Sequence, residues 1–349
     1  MPFDPSRRSV LRLAAGAVVA TTGAAASPGR AGPGSLVIAA DQASRRALLL
    51  DPAQATTRAV PAPLWSWAPG DTPGNALADL APDRTWRNVS EAKWSTAPGR
   101  ATVLTCASEG LAAAVGVSDG QVYWAAAIPG ANLHTLEWLP GGDIAVAAST
   151  AGWVRRYAAS LGPRSTSCSQ YPLPGAHGLH WDATTGLLWA LGDDLLVALA
   201  VNGPDGPDGP DGPRLTEAAR YRLPDHGGHD LAAVAADSDR LWVTTNAHVH
   251  QFSLGTRSFL PGPVPAEVDR SQVKSIGDDP ATGQILLVSP RVATPQSDNP
   301  CAWCTSTIEL LAPTGEATLP GSGLYKARWA GRWPGVTPGP PPRPAPRRR

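Results

Sequence analysis

The chain has 349 residues, enough for one large domain or two ordinary ones, and its 29 basic side chains balance 29 acidic ones. A balanced chain has no field to steer a polyanion, so nucleic acid is excluded as an expected partner. With 36 Gly, 37 Pro, 13 Trp and only 3 Phe, the composition favours many short strands joined by turns over long helices.

Residues 1–31 are expected to be a targeting segment. Ser6-Arg7-Arg8-Ser9-Val10-Leu11-Arg12 precedes a mildly apolar run from Leu13 to Ala26 that ends in small residues, the layout of a twin-arginine export signal. The run is shorter than the roughly 20 residues that span a bilayer, which favours cleavage over retention as an anchor. No later segment is long and apolar enough to cross. The mature protein is therefore expected outside the cytoplasm, secreted or otherwise extracytoplasmic, with no membrane span.

Residues 35–333 carry an internal repeat. Its clearest copies are His134-Thr-Leu-Glu-Trp138 with Gly142-Asp-Ile-Ala-Val-Ala147, and His177-Gly-Leu-His-Trp181 with Gly186-Leu-Leu-Trp-Ala-Leu191. Each copy reads as strand, turn, strand. Taking the Trp138 position as anchor, the equivalents are Trp94, Trp138, Trp181, Ala233, Gly277 and Trp329, close to the period of about 40 to 50 residues that marks a propeller. The two longest intervals contain the Gly-Pro-Asp insert Gly203 to Pro213 and the Pro-rich stretch Arg291 to Cys304, both read as surface loops. Further strand-like runs in each copy, such as Trp153 to Tyr157 and Ser169 to Leu173, predict four-stranded blades. The expected fold is an all-β, six-bladed β-propeller.

Three N-terminal strand-like runs, Leu36 to Ala40, Ala47 to Asp51 and Leu64 to Ala68, have no anchor, while the last copy, Tyr325 to Trp329, has one strand. The C-terminal strand is thus predicted to complete the N-terminal blade and close the ring, which protects sheet edges. The anchor tryptophans are expected to pack between blades. Residues 334–349, rich in Pro and ending in three Arg, are expected to form a disordered tail.

Four residues before each anchor the innermost strand begins, at the mouth of the central channel. This position holds Ser90, His134, His177, His229, Val273 and Tyr325, and the next holds Glu91, Thr135, Gly178, Asp230, Lys274 and Lys326. The candidate funnel set is Glu91, Lys93, His134, His177, His226, His229, Asp230, Lys274, Tyr325 and Lys326, with His226 joining from the loop Asp225-His-Gly-Gly-His229. The Gly pair there would let a ligand approach the backbone. Three readings stay open. Neutral imidazoles of His134, His177 and His229, with Glu91 or Asp230, match the ligand set of zinc and similar ions, so one divalent metal is a candidate cofactor. Lys274 or Lys326 would then hold an anion or act as a base. The same residues would equally suit a small ligand without metal, or hydrogen bonds across blades and to channel water. His180 is a weaker candidate, and His248 with His250 reads as surface or interblade. The sequence lacks a Gly-x-Ser-x-Gly elbow, a phosphate loop and a His-Glu-x-x-His helix.

Cys301-Ala-Trp-Cys304 reads as a disulfide stapling its loop, because export leads to an oxidising space. Cys106 and Cys168 fall in successive blades and are expected to be free and buried.

Ser90-Glu-Ala-Lys93, Pro174-Gly-Ala-His-Gly178, Leu187-Leu-Trp-Ala-Leu-Gly-Asp-Asp194, Gly227-Gly-His-Asp230, Leu241-Trp-Val-Thr-Thr-Asn246 and Tyr325-Lys-Ala-Arg-Trp329 together resemble a family of exported bacterial propellers known only as a domain of unknown function. The resemblance runs from Leu36 to Trp329 and implies the fold and the placement of the funnel, but no activity. More distantly, the funnel is similar in style to oligogalacturonate lyase and gluconolactonase-type propellers, which bind an ion at the channel mouth. That likeness of fold carries no catalytic residue across. Two function classes follow. One is a monomeric binding propeller for a small molecule, glycan or protein at its top face; the other is a metal-dependent lyase or hydrolase acting on an anionic sugar or lactone.

Overall fold

The structure, a computed structural model, describes residues 35–54, 62–96, 100–201, 214–261, 264–290 and 301–331. The expected export signal, the Gly-Pro-Asp insert, most of the Pro-rich stretch before Cys301 and the C-terminal tail lie outside the described residues.

Six four-stranded antiparallel sheets form the six blades of a propeller. Blade 1 joins Leu36–Asp41, Arg46–Leu50 and Trp65–Trp67 to the C-terminal strand Leu324–Gly331, which lies innermost. The next five blades follow in chain order. Their innermost strands are Val89–Ser95, Leu133–Trp138, Gly178–Asp182, Asp230–Ala233 and Ser275–Asp278. The closure predicted from the sequence is therefore present: Val37 pairs with Trp329, Ala39 with Ala327 and Ala40 with Lys326.

Position within a blade explains the residues. Strands flanked by other blades on both faces are buried throughout, as in Leu36–Asp41 and the Ala-rich Leu111–Gly116, and short side chains let the blades converge toward the axis. The outermost strand Thr216–Arg222 instead alternates between exposed and half-buried residues, the period expected of a solvated edge.

Apolar side chains fill the space between neighbouring blades. Leu104, Ala114 and Trp124 of blade 2 pack with Leu136, Val146 and Trp153 of blade 3, and equivalent clusters join the other neighbours. The anchor residues Trp94, Trp138, Trp181 and Trp329 pack against these clusters, as expected. Some of the buried indoles also find an acceptor: Trp124 Nε1 donates to Ser165 O at 3.0 Å and Trp86 Nε1 to Arg45 O at 2.7 Å.

Close packing also explains the glycines of the loop before His229. A Cβ on Gly228 would lie 2.4 Å from Gly192 O and 2.7 Å from Leu191 Cγ. Gly228 is needed where blade 5 approaches blade 4. Cys301 and Cys304 form a disulfide, Cys106 is free and buried, and Cys168 is free but exposed rather than buried, because it opens an outer strand. No helix among the described residues is long and apolar enough to cross a membrane.

Candidate functional site

Each blade inserts one extra residue where its innermost strand begins. In blade 2 the register shifts between Val89 and Glu91, in blade 3 between Leu133 and Thr135, and in blade 1 opposite Ala40 and Asp41. These shifts set off Ser90, His134 and Tyr325. In the other blades His177 N bonds to Leu191 O, His229 N to Thr244 O and Lys274 N to Val288 O, although Leu191, Thr244 and Val288 already pair with Gly178, Asp230 and Ser275. A bulge of this kind re-aims the side chain of the added residue. The upper ring is therefore Ser90, His134, His177, His229, Lys274 and Tyr325. Blade 6 contributes Lys274 where the repeat spacing placed Val273, and its anchor becomes Asp278 in place of Gly277. Asp278 Oδ1 accepts from Trp242 Nε1 at 2.9 Å, so a carboxylate joins blades 5 and 6 from the position where four of the other blades carry a tryptophan.

The upper-ring side chains meet. His134 stacks on His177 with ring centroids 3.8 Å apart, and His177 meets His229 edge-on at 5.4 Å. The Tyr325 hydroxyl lies 3.3 Å from His134 Nδ1. His177 Nδ1 lies 2.7 Å from Gly175 O and must donate to it, which leaves Nε2 as an acceptor. His229 Nε2 has Asn246 Oδ1 at 2.8 Å and Lys274 Nζ at 3.1 Å. Burial, helped by neighbouring imidazoles and lysines, keeps all three rings neutral. It pushes His134 well below its ordinary value, His177 down to about 4 and His229 down to about 3. Two buried ring nitrogens, His134 Nε2 and His229 Nδ1, have no partner among the described residues.

A second ring carries Glu91, Thr135, Gly178, Asp230, Ser275 and Lys326, and Arg328 reaches it from two residues further along the C-terminal strand. Arg328 bonds Glu91 through Nε and Nη2 at 2.8 and 2.7 Å, and Asp230 through Nη2 and Nη1 at 2.6 and 3.2 Å. Lys326 Nζ lies 3.0 Å from Asp230 Oδ1 and 3.8 Å from Glu91 Oε2. Thr135 Oγ1 adds a bond to Glu91 Oε2 at 2.9 Å. Burial alone would raise both carboxyl groups, but the Arg328 and Lys326 charges prevail and hold Glu91 and Asp230 below the ordinary carboxylate range. Two cations and two anions thus cancel inside the ring. Lower in the channel, Lys93 Nζ pairs with Glu137 Oε2 at 3.1 Å.

Above the upper ring lies an open pocket of about 480 Å³, lined by Gln42, Asn88, Ser108, Glu109, Gly130, Asn132, His134, Lys274, Trp303 and Tyr325. Trp303 is 49% exposed. It sits inside the Cys301–Cys304 disulfide loop, and its Nε1 donates to Gln42 Oε1 at 2.9 Å.

The structure brings together nine of the ten candidates along one channel, but at three levels: His134, His177, His229, Lys274 and Tyr325 in the upper ring, Glu91, Asp230 and Lys326 in the second, and Lys93 below them. His226 lies apart: it is exposed and faces Asp194 at 2.8 Å. His248 and His250 face Asp269 and Asp225. Among the described residues no group of three His, Cys, Asp or Glu side chains is placed to hold a metal ion, and the carboxylates of Glu91 and Asp230 are engaged by Arg328 and Lys326. Two residues escaped the sequence reading. Arg328 stands one position before the anchor Trp329 in the quoted Tyr325-Lys-Ala-Arg-Trp329 motif, and Trp303 lies inside the predicted staple.

No curated protein matches the chain. Among solved structures it is similar to Sqt1 of Saccharomyces cerevisiae, with 14% identity and a TM-score of 0.40 over 68% of this chain and 59% of Sqt1. It is similar also to a catalytically inactive virginiamycin B lyase from Staphylococcus aureus with quinupristin, with 14% identity and a TM-score of 0.44 over 67% of this chain and 71% of the lyase. The dihydro-heme d1 dehydrogenase NirN, in complex with DHE, gives 12% identity and a TM-score of 0.44 over 81% of this chain and 52% of NirN. The chain spans less than two thirds of the length of Sqt1 and of NirN. At these values none of the three informs the chemistry of the site. The sequence itself matches the model of one family over residues 14–330, so the chain belongs to the family of unknown function DUF6528.

Proposed function

We propose that the protein is a binding propeller that holds a small polar ligand in the pocket at the mouth of its channel. The observation that carries this reading is the pairing of an exposed Trp303 on the pocket wall with a buried, unpartnered His134 Nε2 at its base. A pocket of about 480 Å³ is in the range that takes a small molecule. Its amide and hydroxyl side chains, Gln42, Asn88, Asn132 and Ser108, suit a hydroxylated ligand, and an exposed indole face suits the C–H face of a sugar ring. With Tyr325 donating to Nδ1, neutral His134 presents an Nε2–H donor to the same space.

Metal-assisted cleavage of an anionic sugar or lactone, the alternative from the sequence, needs imidazoles that converge on one point. His134 and His177 stack instead, and the separate partners of their Nδ1 atoms hold them that way. The binding reading is therefore preferred. Residues 1–31 as a cleaved export signal, residues 35–333 as the propeller and residues 334–349 as a tail complete the proposal, and the Cys301–Cys304 disulfide favours action in an oxidising space outside the cytoplasm.

The test is calorimetric titration of the folded protein with a panel of neutral and acidic mono- and oligosaccharides, repeated on Trp303→Ala and His134→Asn. Saturable binding weakened about tenfold or more by either substitution supports the pocket. Binding that both variants leave unchanged, or no binding across the panel, overturns this reading.

A further inference from the structure

Four cations line the channel, and their surroundings differ. Arg328 is shared between Glu91 and Asp230, Lys326 pairs with Asp230 and Glu91, and Lys93 pairs with Glu137. Lys274 is buried to 5% exposure, yet its ammonium has two neutral contacts, His229 Nε2 and Gln272 Oε1, each at 3.1 Å. Among the described residues no carboxylate pairs with it. Glu109, the carboxylate among the residues that line the pocket, is exposed and forms no ion pair among the described residues. The facing imidazoles of His134, His177 and His229 are neutral, and the remaining nearby charge is the cation of Lys326. An ammonium taken out of water without a counter-charge is costly, and one of its three N–H donors has no partner among the described residues.

The pocket opens directly onto this group. We propose that Lys274 is the anchoring cation for an oxyanion on the ligand, so that the ligand is an acid bearing a carboxylate, phosphate or sulfate group. This rests on the ligand-binding reading of the pocket and names the class of ligand it takes. Charge accounting carries it: the Glu91, Asp230, Lys326 and Arg328 charges cancel, the Lys93 and Glu137 charges cancel, and Lys274 leaves one positive charge at the base of the pocket. Its pKa, lowered to about 8 by burial and then by Lys326, agrees with a charge that lacks its partner. A bound oxyanion would supply the missing charge and accept the free N–H.

The test needs no identified ligand. Thermal melting of the wild type and of Lys274→Met is compared at neutral pH in acetate, phosphate, sulfate and chloride at matched ionic strength. At least one oxyanion should raise the melting temperature of the wild type above its value in chloride, with the rise fading as pH passes through about 8. The oxyanion that acts identifies the ligand group. Lys274→Met should show no such response and should melt at least as high as the wild type in chloride, since it removes an unpaired buried cation. An equal response in both proteins, or none in the wild type, overturns the proposal. Should Lys274→Met fail to fold, the wild type still decides: the Lys274 dimethylamine resonance after reductive ¹³C-methylation must titrate higher when the active oxyanion is present. Trp303→Ala should keep the anion response. No saturable sugar binding by the wild type, with the anion effect present, would count against the sugar reading alone, and sugar binding without an anion effect would count against the anchor alone.

Discussion

Arg328 meets Glu91 through two parallel hydrogen bonds, at 2.8 and 2.7 Å, from blade 1 to blade 2, and the same guanidinium reaches Asp230 of blade 5. A single side chain from the last strand thus ties together carboxylates whose residues are 139 positions apart, as the difference between 230 and 91 gives. Glu91 and Asp230 are fully buried, and a buried anion that loses its partner costs far more than the pair contributes when intact. Arg328→Met should therefore destabilise the protein by about 3–5 kcal/mol, read by urea denaturation. A loss below about 1 kcal/mol would mean that Lys326 alone balances both carboxylates. Glu91 and Asp230 are also held below their ordinary values, so their stabilisation is present above the carboxylate pKa of about 4 in the unfolded chain. It should be lost progressively as pH falls through that point.

The upper ring predicts a second, separate pH dependence. His134, His177 and His229 stay neutral in the fold, with His177 lowered to about 4 and His229 to about 3, whereas in the unfolded chain they take up a proton near pH 6.5. Unfolding therefore absorbs protons below that pH. The sign follows from linkage: stability is full above about pH 6.5 and falls as the solution is acidified toward the folded-state values. Each fully shifted imidazole contributes about 1 kcal/mol per pH unit in that window. Denaturation curves between neutral pH and about pH 5 should show this decline, and a His177→Asn, His229→Asn double variant should show a clearly flatter one. Parallel slopes for the two proteins would remove the imidazoles as its source.

The repeat made the ring legible, since six copies of one strand–turn–strand pattern leave few alternatives, and the unpaired N- and C-terminal strands already implied their pairing. The histidine positions were legible for the same reason. What the repeat did not show was the bulge. Counting back from Gly277 placed Val273 in the upper ring, whereas the bulge sets the count from Asp278 and brings Lys274 there. Arg328 was hidden differently: its strand position faces the lower channel, and only its length carries the guanidinium up to the second ring. Trp303 has no periodic signature at all, because it lies in an inserted loop whose placement depends on a disulfide and one bond to Gln42.

That placement gives a third prediction. The Cys301–Cys304 bridge closes a loop with a sequence separation of 3, too short for its chain entropy to add much global stability. A Cys301→Ser, Cys304→Ser variant should melt within a few degrees of the wild type. Its sugar affinity should nevertheless fall several-fold, because Trp303 must then be ordered at the moment of binding. Calorimetry beside a thermal melt separates the two effects. Unchanged affinity would show that Gln42 and the surrounding chain hold the indole unaided.

The C-terminal strand concentrates three jobs in eight residues, Leu324–Gly331. It closes blade 1 by pairing with Leu36–Asp41, it covers apolar side chains of the neighbouring clusters through Leu324, Ala327 and Ala330, and it carries Tyr325, Lys326 and Arg328 into the channel. Ending the chain after Gly323 leaves an open sheet edge beside the buried strand Leu36–Asp41 and strips Glu91 and Asp230 of both cations. Either consequence alone costs several kcal/mol, against a total stability of about 5–15 kcal/mol for a domain. The shortened chain should therefore lose its near-ultraviolet circular dichroism and its cooperative melt, while a chain ending after Trp333 should match the full-length protein. The peptide 324–331 added in trans should restore part of the signal if strand closure is what was lost. A cooperative melt of the shortened chain close to that of the full-length protein would show that the other five blades and their interfaces hold the ring without its clasp.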